Sequence, residues 1–171
     1  MIKKISQQAP SYWQQLLPKL KQQNYGQYNN VIKKILNDPS KIVFSMPPSG
    51  SPNAVAFVST EDAEGDKSGI EKIHIVTQNM PRQEAGASVE DFIDSIMSSI
   101  SGVLTHEAHH IQDYDPEKHK RGEDPFPSGE HGAEAAQHQH EKQSSARQDS
   151  MSINDLFSIS DSFKRNPFGR R

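Results

Sequence analysis

Two histidines and a glutamate form the stretch of this chain best suited to chemistry. In Thr105-His106-Glu107-Ala108-His109-His110-Ile111, His106 and His110 are four residues apart and Glu107 follows the first of them. On a helix this spacing brings both imidazoles to one side, one turn apart, with a carboxylate next to them. Imidazole nitrogens suit a borderline cation such as zinc, so the H-E-x-x-H pattern points to metal-assisted hydrolysis. The chain has no cysteine. A disulfide framework is therefore ruled out, and any metal site must draw on His, Asp and Glu.

The element that must carry this pattern is a helix over 88–114. Ser88 suits an N-cap, and Glu90 and Asp91 follow where negative side chains favour the helix dipole. Val89, Phe92, Ile93, Ile96, Met97, Ile100, Val103 and Leu104 keep three-four spacing, and Asp115-Pro116 stops the run. At about 100° per residue, His106 and His110 continue the stripe of Phe92, Ile96 and Val103 and point inward. Burying these groups without partners would be costly, and a cation relieves the cost by taking both imidazole lone pairs. His109 points elsewhere around the axis and reads as a surface or supporting residue.

A further ligand must come from another element. Asp113 shares the face but lies about 10 Å along the axis from His106, too far to reach the same ion, and could orient a ligand instead. After a Pro/Gly-rich loop, residues 128–138 predict a second helix with Ser128 near its cap. Glu134 sits there among alanines, whose small size allows the close approach that a glutamate needs. Glu130 and His138 lie on the same stripe, one turn to either side, and could substitute for Glu134 or support it.

Around these helices the pattern predicts an α+β fold. Residues 10–38 read as two amphipathic helices, with stripes of Tyr12, Trp13, Leu16, Leu17 and Leu20 and of Tyr28, Val31, Ile32, Ile35 and Leu36. Their break falls at Asn24 to Gln27, and Pro18 interrupts the first. Ile42 to Met46, Ala54 to Ser59 and Lys72 to Thr77 predict a small, mainly antiparallel sheet over 41–78, with Glu61 to Gly69 as a connection and His74 on the wetter face. One domain over 1–148 thus holds N-terminal helices, sheet and site helices 88–114 and 129–146. Residues 149–171 predict an amphipathic helix, with Ile153, Leu156, Phe157 and Phe163, and a basic tail that docks on the domain or binds a protein partner.

The net charge of -3 draws the chain neither to nucleic acid nor to an anionic membrane, and Lys118-His119-Lys120-Arg121, followed by Glu123 and Asp124, reads as a solvated loop. The basic start Met1 to Gln8 lacks a continuous apolar stretch after it, and no run approaches the length of a membrane span. A cytoplasmic protein is expected.

His106-Glu107-x-x-His110 on one helix, followed by Glu134-Ala135 on a second, resembles the gluzincin group of zinc metallopeptidases and is similar to small ImmA/IrrE-type domains. The likeness covers residues 70 to 142. It implies a zincin-like fold, Zn²⁺ held by His106, His110 and Glu134, Glu107 as general base, and a protein or peptide substrate lying extended along the strand Lys72 to Thr77. An added donor would stabilise the oxyanion, with Tyr114 and His131 as candidates. The chain departs from the family in its polar second helix and in lacking a helix-turn-helix segment. Because seven of the eight histidines lie between residues 106 and 140, a metal-binding domain without turnover stays open, as does a structural or interaction protein. Glu107 discriminates, since a storage site has no need of it.

Overall fold

The computed structural model describes residues 7–59 and 72–164, with side chains described as far as residue 146. The connection Glu61 to Gly69, the basic end and the docking face of residues 150–163 lie outside the described residues. Among the described residues, five α-helices and one three-stranded sheet give an α+β fold. Among the described residues no helix is long and apolar enough to cross a membrane.

Helix α3 (Val89–Asp113) is the centre of the structure. Ser88 caps it by accepting from the Asp91 N–H at 3.1 Å. Its buried residues run from Phe92 through Ile100 and Leu104 to His110 and occupy most of its circumference, because the two N-terminal helices, the sheet and the long C-terminal helix all pack against it. Asp115 ends the run by capping a short helix α4 (Pro116–Lys120) through the Glu117 and Lys118 N–H groups. Helix α1 (Trp13–Gln22) continues through Pro18, which is solvent-exposed, and a 3-10 turn over Gly26–Tyr28 leads into α2 (Asn29–Leu36). Trp13, Leu16, Leu20, Ile32, Ile35 and Leu36 form the buried stripes that the spacing predicts.

The sheet is mixed, not mainly antiparallel. Its order is β1-β3-β2: β1 (Ile42–Ser45) pairs parallel with β3 (Ile73–Val76), and β2 (Ala56–Phe57) pairs antiparallel with β3 on the other side. Ile73, Ile75 and Val76 of this central strand are all buried. His74 is half-buried rather than exposed, with its ring stacked on Phe57 at 4.7 Å. Residues 7 and 8 cover the outer side of β1, where the Gln7 N–H donates to Phe44 O at 3.1 Å and the Thr77 hydroxyl to Gln8 O at 2.8 Å.

Helix α5 (Gly129–Lys164) is one continuous helix where two were expected. Nothing between Ala133 and Lys164 is Gly or Pro, so the polar stretch contains no residue that stops a helix. It packs antiparallel to α3, as shown by Ser128 bonded to Asp113 at one end and His140 bonded to Ser101 at the other. Ala133, Ala136 and His140 form its buried face. A Cβ on Gly132 would lie 2.6 Å from His109 Nε2 and 2.6 Å from Ser128 Cβ. Gly132→Ala is therefore expected to lower unfolding stability by about 1–2 kcal/mol, because overpacking outweighs alanine's helix propensity. Urea denaturation measures it; a variant as stable as the parent contradicts the close fit.

Candidate metal centre

His106 and His110 project from α3 with their Nε2 atoms 3.2 Å apart. The carboxylate of Glu130, from the first turn of α5, completes the group: Oε2 lies 3.3 Å from His106 Nε2 and Oε1 3.6 Å from His110 Nε2. A tetrahedral zinc ion with ligands at about 2.0–2.1 Å separates any two of them by about 3.3–3.4 Å. The two distances to Glu130 run to its two different oxygens, and one ligand atom from each residue lies within 4.8 Å of the other two, a grouping that could hold one ion. Burial holds both imidazoles below the ordinary histidine pKa, against the pull of Glu130, and for His110 the neighbouring His106 adds to the depression. Neutral imidazole is the form that donates a lone pair to a metal. With both Nε2 atoms unprotonated, the two imidazoles and Glu130 would present acceptors to one point, an arrangement that a cation could satisfy.

Glu107 is 5% exposed. Its pKa is pushed up to about 8, first by burial and then by the negative charge of Glu130, while a hydrogen bond from the Val58 backbone N–H works in the opposite direction. That bond ties Glu107 to the chain just beyond β2. Because Val76 N–H bonds Val55 O at 2.9 Å, the alternation of an antiparallel pair turns the backbone groups of Ala56 and Val58 to the free side of the strand.

A cleft of about 430 Å³ opens between these elements. Ala54 to Val58 form one wall; Val103, His106, Glu107 and His110 line it from α3, with Phe126, Glu130 and Gln137 completing it. Phe126 stands edge-on to the His110 ring at 5.3 Å.

Of the residues expected at the site, His106, Glu107 and His110 come together as predicted, and the glutamate brought to them is Glu130. Glu134 is not part of the group: its carboxylate is exposed and 3.6 Å from His131. Four residues turn a helix by about 400°, so Glu134 sits about 40° farther than Glu130 from the buried face of Ala133, Ala136 and His140. His138 is exposed and 3.7 Å from Glu141. Tyr114 bonds His119 Nδ1 at 2.7 Å and His131 is fully exposed, and neither is among the described residues lining the cleft. His109 is held between helices, with Nδ1 bonded to the Tyr28 hydroxyl at 2.9 Å. The strand bordering the cleft is β2, because β3, expected there as Lys72 to Thr77, is paired on both sides. Sequence reasoning missed Val58, Phe126 and Gln137 as site residues, and only the short apolar run containing Val58 hinted at any of them. Compared with models of protein families, with curated proteins and with solved structures, the chain finds no match.

Proposed function

We propose that the chain is a zinc-dependent metallopeptidase of zincin-like fold, with His106, His110 and Glu130 as ligands and Glu107 as general base. The observation that carries this reading is the convergence of two imidazole nitrogens and the Glu130 carboxylate, 3.2 to 3.6 Å apart, beside a buried carboxylate in an open cleft. When bound, zinc would bring the pKa of its water towards neutrality and polarise the substrate carbonyl. Glu107, held by the Val58 N–H, takes the proton of the attacking water and passes it to the leaving amine. A nearby cation favours the carboxylate form, which brings Glu107 from its raised pKa into the range of a base at neutral pH. The outward N–H and C=O of Ala56 give an extended peptide a place to pair along β2.

A second reading, metal binding without turnover, is favoured by one observation: neither Tyr114 nor His131, the expected oxyanion donors, lines the cleft. Metal analysis and a casein assay separate the two. The peptidase reading expects one zinc per chain and cleavage that chelation abolishes and added zinc restores. Bound zinc with no cleavage of casein or a peptide library leaves the second reading, and a purified protein with no stoichiometric ion removes both.

A further inference from the structure

Glu130 is the most exposed member of the group, its side chain 74% open to solvent, and among the described residues its close polar contacts are with the two imidazoles. Little around the side chain holds it, so its place is set by the backbone at the start of α5. That backbone is tied to α3 on both sides of Glu130. Two residues before it, Ser128 donates its N–H to Asp113 Oδ2 at 2.8 Å and its hydroxyl to Asp113 Oδ1 at 2.7 Å. Two residues after it, Gly132 leaves room for His109, which Tyr28 holds from behind.

We infer that Asp113 is a positioning residue for the metal site, fixing Ser128 and through it the backbone that delivers Glu130 to His106 and His110. The inference rests on the metal-centre reading and adds to it a residue that touches neither metal nor substrate. Asp113 and His110 belong to the same α3, three residues apart, so the carboxylate that holds α5 moves as one piece with an imidazole ligand. The chemistry of the clamp asks for a carboxylate. Two donors from one residue are met by two oxygens at once, whereas an asparagine offers a single acceptor oxygen. None of the described hydrogen bonds has the Ser128 hydroxyl capping its own helix, so this contact is a tie between helices rather than an N-cap.

The test uses the full chain and zinc competed against a chromophoric chelator. Asp113→Ala is expected to weaken zinc binding about 10–100-fold, the range for a residue supporting a ligand, with Asp113→Asn and Ser128→Ala losing less. In a Glu130→Ala background the same change should add less than about threefold, because its route to the metal is gone. Amide hydrogen exchange on the metal-free protein provides the second readout. Residues 128–134 should exchange at least about tenfold faster in Asp113→Ala or Asp113→Asn, while residues 92–104 keep the parental rate. An affinity within about threefold of the parent, or an equal loss with and without Glu130, overturns the role. Unchanged exchange at 128–134 overturns the clamp itself. A parent protein that takes up no zinc overturns the metal reading and this role with it, and the exchange arm still decides whether Asp113 ties the helices.

Discussion

Glu107→Gln is expected to keep its zinc and lose peptide-bond cleavage by about 10²–10⁴-fold, the range for removing a positioned general base. The amide has the shape of the carboxyl and its oxygen can still accept from the Val58 N–H, so the cleft and the three proposed ligands should stay in place. What disappears is the ability to take a proton from the attacking water and return it to the leaving nitrogen. On the proposed mechanism the loss should fall on kcat, because Glu107 would act on the reacting groups and not on the peptide's hold along β2. Zinc stoichiometry and kcat/KM on a fluorogenic peptide measure the two halves. Zinc retained with activity within about threefold of the parent would remove Glu107 from the mechanism.

The same substitution has a consequence for stability whose sign follows from the raised pKa. An unfolded glutamate releases its proton near 4.5, whereas folded Glu107 holds it to about 8. Between those values the folded, metal-free protein carries one more proton than the unfolded chain, so this group lowers stability as pH rises through the window and adds no further loss above it. Glutamine does not ionise. With chelator present, Glu107→Gln should match its parent near pH 4.5 and exceed it by a few kcal/mol at pH 8, since each pKa unit corresponds to about 1.4 kcal/mol. Urea denaturation at the two pH values gives the comparison, and an advantage that shrinks with rising pH contradicts the burial of Glu107.

The two halves of the centre differed in how legible they were. His106, Glu107 and His110 share one helix, where spacing alone fixes direction, and Ser88 and Asp115-Pro116 mark that helix's ends within a residue of where they fall. The glutamate on α5 depends on which side of a second helix meets the first. Ala133, Ala135 and Ala136 are all small, and their sequence does not say that Ala133 and Ala136 are buried while Ala135 is exposed. Strand pairing was hidden for a similar reason. The runs at 42–46, 54–59 and 72–77 were visible, yet a strand's apolar pattern reads the same in either direction, so it does not reveal the parallel match of β1 with β3. With two residues, β2 is too short for periodicity to show that its edge borders the cleft.

Zinc affinity will tell the two glutamates apart. Among the described residues Glu130 is the only carboxylate grouped with both imidazoles, so Glu130→Ala leaves a His/His pair, too few ligands for a tight site. The expected loss exceeds about 100-fold, beyond the 10–100-fold that removal of a supporting residue brings. Glu134→Ala takes away a side chain that is 59% exposed and faces His131. It acts on His106 only as a distant charge, and solvent screens such charges strongly, so its effect should stay within about threefold. Because Glu130 is also largely exposed, neither change opens a cavity, and both variants should unfold like the parent in the absence of zinc. The reverse order of affinities, with Glu134→Ala the damaging change, would mean that α5 is rotated by about 40° in the zinc-bound protein, the angle separating positions four residues apart. Equal and small losses would mean that neither carboxylate binds the ion, and the clustering of His106, His110 and Glu130 would then have no role in metal binding.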